Sequence, residues 1–227
     1  MNMKENSWKK CLAAGICLIL IFAVWTILIQ KVDVQPAGNY EPQKDVGFAG
    51  LNTWFHGLTG FSETLYKITD WLGLVPIAVC IGFGILGLIQ LIKRKSLLKV
   101  DKDIILLGIF YIVVIAGYLL FEKVTINYRP VLVDGLAKPE SSYPSSTTLL
   151  VLSVMPTLIF QVNRRMENVN AKKAVTIIAV LFTAFMLIGR TVAGVHWLTD
   201  ILGAVFLSAG LYLVYRAAVM KADQKKE

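Results

Sequence analysis

The chain is poor in charge. Only 17% of its 227 residues are Asp, Glu, Lys or Arg, where a soluble domain carries about a quarter. Histidine is scarcer still, with two in the whole sequence. No cluster of carboxylates suggests a metal site. No long basic run and no nucleic-acid motif accompany the net charge of +8, so nucleic acid is not an expected partner. The three cysteines, Cys11, Cys17 and Cys80, fall in or beside apolar runs without metal-ligand spacing. They read as small packing residues and do not report a redox compartment. No internal repeat is visible.

What the chain has in abundance is apolar length. It is 56% hydrophobic with a mean hydropathy of +0.64. Six apolar segments stand out, at 11–30, 72–92, 104–121, 147–162, 174–189 and 197–219. A bilayer-crossing helix needs about 20 such residues, and lipid offers the backbone no partners, so each segment must satisfy its own hydrogen bonds as a helix. The expected fold is therefore all-α: a polytopic membrane protein with six transmembrane helices in one bundle. The fourth and fifth segments are short for a full span, which leaves their ends open.

The first segment follows Lys4, Lys9 and Lys10. It is longer than the ~7–15-residue core of a signal peptide, and no small-x-small cleavage site follows, so residues 1–30 read as a retained anchor. Basic residues gather in alternate loops: Lys93, Arg94, Lys95, Lys99 and Lys102, then Arg164, Arg165, Lys172 and Lys173, then Lys221, Lys225 and Lys226 in the tail 221–227. The positive-inside rule puts these loops and both termini in the cytoplasm, in a chain of the cytoplasmic membrane. The loops 31–71, 122–146 and 190–196 then face outward. In the first of these, VQPAGNYEPQKDVG reads as irregular, and GFAGLNTWFHGLTGFSETLYKITDW suits a helix lying at the membrane surface. Residues 72–220 form the remaining transmembrane core.

Against this apolar background the stretch GRTVAGVHWLTD, 189–200, is conspicuous. His196 and Asp200 are four residues apart, one turn from each other on a helix. A carboxylate bonded to one imidazole nitrogen fixes the tautomer and frees the other nitrogen to attack. Arg190 does not share a helical face with His196, so the intervening residues must turn, and Gly189 and Gly194 make a turn easy. An interfacial Arg and His solvated by headgroups would explain the first two residues, but Asp200 sits one turn inside the sixth helix, where charge is costly and usually faces a protein interior.

Two more outer-loop stretches carry matching chemistry. EKVTINYRPVL, 122–132, supplies Lys123 and Arg129, and Arg is a bidentate partner for phosphate. SSYPSSTTLL, 141–150, places Ser145, Ser146 and Thr147 after Pro144 at a helix start, where free N–H groups favour an anion. A plain N-cap would also explain the second stretch. Together the three loops suit a phosphoryl group, with His196 as nucleophile, Asp200 as its orienting partner and Arg129 and Arg190 as clamps.

These residues resemble the type 2 phosphatidic acid phosphatase superfamily, six-helix membrane enzymes with the motifs K-x6-R-P, P-S-G-H and S-R-x5-H-x3-D. Arg190, His196 and Asp200 match the third motif in spacing, with Gly189 in place of serine. Pro144-Ser145-Ser146-Thr147 stands at the second. Lys123 to Arg129-Pro130 stands at the first, one residue shorter. The resemblance spans roughly residues 70–220. It implies a phosphohistidine intermediate on His196. No cofactor or metal is expected, since Arg and Lys can supply the countercharge. It also implies that the family's proton donor to the leaving oxygen is replaced by Thr147.

Three readings follow from that replacement. The chain hydrolyses a lipid phosphate whose leaving group needs no acid, for which a polyprenyl diphosphate fits: it leaves as a phosphate monoester, with a second pKa of about 6. Alternatively, the remaining histidine, His56, supplies the proton. Or the chain binds a lipid phosphate without cleaving it. A transporter is disfavoured, because the charges cluster at one surface and no intramembrane acidic relay or broken helix pair is present.

Overall fold

Among the described residues of the computed structural model, six helices are long and apolar enough to cross a membrane. The structure describes residues 3–224; Lys225 and Lys226 of the expected cytoplasmic tail, and the side chain of Lys4, lie outside the described residues. In chain order the elements are α1 (Met3–Ile29), a hairpin of β1 (Gln35–Ala37) and β2 (Lys44–Val46), α2 (Ala49–Thr59), α3 (Glu63–Leu72), α4 (Leu74–Arg94), α5 (Lys102–Lys123), α6 (Ser146–Arg165), α7 (Val169–Val192) and α8 (Leu198–Gln224).

The spans are α1, α3 with α4, and α5 to α8. The second is longer than its apolar run. Gly73 keeps helical torsions between α3 and α4, so the two helices join into a span of 32 residues. The N-terminal end of that span, α3, is polar enough to have read as a surface helix. The fifth span is also longer than its apolar core, and Arg190 stands in its last turn. The stretch expected to be irregular contains the antiparallel hairpin, with Gln35 opposite Val46. Strands of three residues are too short to show a period in sequence.

Apolar side chains both fill the bundle and coat it. Phe22, Leu107, Tyr143, Leu149, Leu207 and Tyr215 belong to the main core, while Ile81, Ile112 and Leu181 stand exposed, as lipid-facing residues do. Helix α1 packs along α8. Gly15 and Gly210 meet there, and a Cβ on Gly15 would lie 2.9 Å from the Gly210 carbonyl oxygen. Small residues allow such close backbone approach in membranes.

The two ends of the bundle differ in chemistry. At one end Asp103 pairs with Arg165 at 2.7 Å and Arg164 at 3.3 Å, and Asp101 pairs with Arg94 and Arg165. The adjacent Arg94 is the main cause holding the Asp101 carboxyl down to about 2. At the other end the three connections are stitched to one another. Asn39 N–H donates to Pro130 O, Ser62 N–H to Ala193 O, and Ser145 N–H to Asp200 O. Asn52 donates to Thr199 Oγ1 at 2.9 Å. The residues singled out in sequence lie at this second end.

Candidate active site

His196 sits in the short turn between α7 and α8, buried, with both ring nitrogens engaged. Nδ1 is 3.0 Å from the Ser142 carbonyl oxygen, and Nε2 is 3.2 Å from Arg190 Nη2. A carbonyl only accepts and a guanidinium only donates. The proton is therefore on Nδ1, and the Nε2 lone pair points at Arg190. Burial, then the charges of Arg190 and Arg129, hold the His196 pKa well below the usual histidine range. A neutral imidazole with a free Nε2 is the nucleophilic form.

The turn that delivers this ring depends on Gly194. Its φ is +70°, and a Cβ there would lie 1.8 Å from the Gly60 carbonyl oxygen. The loop before α3 thus presses directly on the backbone that leads into His196.

Asp200 does not bond the imidazole, as the sequence reading had it. Its Oδ2 is 4.0 Å from His196 Nδ1. That oxygen accepts the Trp197 N–H at 3.0 Å, and Oδ1 accepts from Asn127 Nδ2 at 3.2 Å. Asp200 is the third residue of α8 and bonds back to the residue before the helix, the acid's role in a capping box. The Ser142 carbonyl holds the tautomer instead. Asp200 fixes the turn that carries His196 and ties it to the 122–146 connection through Asn127.

Arg129 and Arg190 converge on one ring. Their Cζ atoms lie 6.0 and 5.4 Å from the centre of Tyr66, whose hydroxyl donates to Asp134 at 2.7 Å. Arg190 is 1% exposed; its Nη1 donates to Thr69 Oγ1 at 3.3 Å and stands 3.7 Å from Asp70 Oδ1. Arg129 Nη2 pairs with Glu140 at 3.2 Å. Among the described residues, Arg129 Nε and Nη1 and Arg190 Nε are buried without a hydrogen-bond partner. Such orphaned charged donors are costly and rare. Arg129 lines a cavity of about 490 Å³ together with His196, Ser146, Asp70 and Glu140, and Arg190 reaches it through its bond to His196 Nε2. An anion with several acceptor oxygens would satisfy the orphaned donors.

The cavity opens into an apolar groove of about 410 Å³ lined by Leu74, Ile77, Cys80 and Ile115. Asp70, Tyr118, Ser146 and Leu149 line both spaces. Ile77 and Ile115 are among the exposed, lipid-facing residues.

Three expected site residues are not brought to His196. Lys123 is exposed at the end of α5 and does not line the cavity. The residues of α5 that do are Tyr118, Phe121 and Glu122, one helical face, and the next position is turned about 100° away. Thr147 lines the groove and not the cavity, with its methyl packed against Gly73. Ser145 is buried, with its hydroxyl 2.9 Å from Thr148 Oγ1. Of the serines at this helix start, Ser146 faces the cavity. His56 is 3.1 Å from the Gly194 carbonyl and lines a separate cavity with Trp197.

Sequence reasoning missed Ser142, Asn127, Tyr66, Thr69, Asp70 and Glu140. Ser142 acts through its backbone, which carries no side-chain signature. Tyr66, Thr69 and Asp70 are spaced i, i+3 and i+4, one helical face, and that signal was available.

A buried histidine bonded to an arginine beside a cavity that a second arginine lines, at one end of a six-span bundle, is the arrangement that the comparisons with known proteins bear on. The sequence profile described as the PAP2 superfamily matches residues 104–223, just over half of the chain, and the chain belongs to that superfamily. It is also similar to a solved structure, the first transmembrane PAP2 type phosphatidylglycerolphosphate phosphatase from Bacillus subtilis. The TM-score is 0.53 at 19% sequence identity, with 93% of this chain and 96% of the other covered. A search of curated proteins finds no match.

Proposed function

We propose that the chain hydrolyses a lipid phosphate or polyprenyl diphosphate at the extracytoplasmic face of the cytoplasmic membrane, through a phosphohistidine on His196. The observation that carries this reading is the set of buried, unpartnered N–H groups of Arg129 and Arg190 near an unprotonated His196 Nε2 that is bonded only by Arg190. A phosphoryl oxygen takes the place of Nε2 on Arg190, and Nε2 then attacks phosphorus. The guanidiniums stabilise the charge on the equatorial oxygens. The basic loops lie at the opposite end of the bundle from His196, which supports a reading with the His196 end outside and both termini inside.

The lipid chain lies in the groove lined by Ile77 and Ile115. A diphosphate is the favoured substrate. No second histidine lines the cavity, and a departing phosphate monoester needs little protonation, whereas an alcohol leaves almost as badly as hydroxide.

The test is phosphate release from a diphosphate lipid and a matched monophosphate, with wild type and His196→Ala. The expected result is turnover of the diphosphate that His196→Ala abolishes, with ³²P trapped on His196 in wild type. Equal or better turnover of the monophosphate removes the diphosphate preference. Binding without label or turnover favours the second reading, a lipid-phosphate binder, which the separation of Thr147 and His56 from His196 supports.

A further inference from the structure

The second half of the reaction lacks an obvious participant. A phosphohistidine must be hydrolysed, and water attacks phosphorus well only if a base takes its proton. No other histidine lines the cavity with His196. The carboxylates that line it are Asp70, Glu122 and Glu140. Glu140 is held by Arg129 at 3.2 Å. Glu122 interacts with Tyr118, whereas the carboxylate paired with Arg190 is that of Asp70.

Asp70 differs from both. Its Oδ1 is 3.7 Å from Arg190 Nη1, while Nη2 of the same guanidinium is 3.2 Å from His196 Nε2. The carboxylate and the attacking nitrogen thus stand at the two prongs of one planar group. Asp70 is placed there by packing. Thr69, its neighbour in sequence, bonds Arg190 through Oγ1, and the methyl of Thr69 would be 2.8 Å from a Cβ on Gly189. The absence of a side chain at Gly189 lets α3 approach α7 closely enough for this contact. Asp70 also lines the groove that Thr147 lines, the residue at the place of the second-motif histidine. The Asp70 side chain is 58% exposed, which gives it access to water.

We propose that Asp70 is the general base for hydrolysis of the phosphoenzyme, an inference that rests on the phosphohistidine reading above. A phosphoryl group bonded to Nε2 and gripped along the edge of Arg190 turns its far side toward Asp70. A water there is in line with the P–Nε2 bond. Its oxygen forms the new bond to phosphorus while the P–Nε2 bond breaks and its electron pair returns to Nε2. The water's proton passes to an Asp70 oxygen and then to solvent. Inorganic phosphate leaves, and Nε2 regains its hydrogen bond from Arg190. The carboxylate has no comparable part in the first step, which suits a substrate whose leaving group needs no acid.

The experiment is rapid-quench kinetics on a terminally ³²P-labelled diphosphate lipid, with wild type, Asp70→Asn and Asp70→Glu in detergent, and melting temperatures in parallel. Asp70→Asn is expected to release one equivalent of lipid monophosphate in a burst. It then turns over roughly 10²–10⁴-fold more slowly than wild type, with ³²P accumulating on His196. Asp70→Glu restores part of the steady rate and lowers the trapped label. Two results overturn the proposal: Asp70→Asn with wild-type turnover and label, or Asp70→Asn with wild-type melting that loses burst and turnover together. The second would place Asp70 in the phosphoryl-transfer step. An Asp70→Asn that melts far below wild type is replaced by Asp70→Ser, to which the same criteria apply. A wild type that neither releases phosphate nor takes up label defeats the phosphohistidine reading itself, an outcome distinct from an active wild type matched by its variant.

Discussion

Arg190 Nη2 donates to the Nε2 lone pair of His196 at 3.2 Å, so in the proposed reaction the clamp occupies the nucleophile until a phosphate displaces it. The same contact keeps the ring neutral, because a proton on Nε2 would face a cation. Replacing Arg190 therefore does two things at once. Arg190→Gln removes a charge from the oxyanion clamp, and the expected loss in kcat/KM is on the order of 10²–10³-fold. It also relieves the repulsion that disfavours imidazolium. Steady-state kinetics of Arg190→Gln against wild type check the first effect. A loss below tenfold would remove Arg190 from the clamp.

The protonation of His196 is open to direct measurement, because the chain contains two histidines. In a His56→Gln background, ¹⁵N-histidine NMR reports one ring. Nδ1–H and a bare Nε2 are expected through the neutral range. The pKa is lowered, first by burial and then by Arg190 and Arg129, so the ring stays neutral well below pH ~6.5, where an unfolded histidine titrates. The stability sign follows. The unfolded chain takes up a proton that the folded chain refuses, so this contribution is full above pH ~6.5 and is lost as pH falls below it. A ring that titrates at the ordinary histidine value would contradict the burial and the two neighbouring cations.

Asp200 and Asn127 allow a swap that separates position from charge. Asp200 Oδ1 accepts from Asn127 Nδ2, Oδ2 accepts from Trp197 N–H, and Asn127 Oδ1 accepts from Gly47 N–H at 3.2 Å. Asp200→Asn alone leaves one of these donors facing another, at about 1–3 kcal/mol. Adding Asn127→Asp restores every acceptor with the charge moved across the bond. The double variant is expected to recover thermal stability in detergent. If Asp200 acts by positioning the turn, activity recovers with it; stability without activity would mean that a negative charge 4.0 Å from Nδ1 matters for the chemistry.

Gly194 carries the turn between Arg190 and His196. Gly194→Ala adds a Cβ 1.8 Å from the Gly60 carbonyl at a φ of +70°, so the loop before α3 or the His196 turn must shift. A displacement of about 1 Å at the nucleophile is worth on the order of 10²-fold in rate. The expected variant folds with reduced melting temperature and loses at least that much activity. Wild-type kcat in Gly194→Ala would show that the turn does not set the ring.

The helices and their order were legible because lipid imposes length and apolarity on every span, and those are written residue by residue. The Arg190, His196 and Asp200 set was legible because one helix end, one turn and one helix start fix it locally. Rotation about a helix axis was not. Lys123 and Ser145 lie within a residue of positions that line the cavity, yet motif spacing does not say which side of a helix faces inward. Helix α3 was hidden for a different reason. Its site face depends on how closely it meets α7 at Gly189, a contact between segments more than a hundred residues apart. Nor could the sequence say that a backbone carbonyl, Ser142, would take the bond assigned to Asp200.

The groove beside the cavity makes the last prediction. A lipid chain in a bilayer is already among hydrocarbon, so moving it into an apolar groove gains little from dehydration. The groove's effect lies in where it holds the headgroup. Ile77 lines the groove and not the cavity, so Ile77→Trp fills the chain's path without touching the phosphate site. For a long-chain diphosphate, the displaced chain drags phosphorus out of line with Nε2, and kcat is expected to fall on the order of 10²-fold. A water-soluble short-chain diphosphate has nothing in the groove and is turned over by Ile77→Trp as by wild type. The ratio of the two rates, measured on one preparation, separates chain positioning from general damage. Equal losses on both substrates would mean that the lipid reaches His196 by another path.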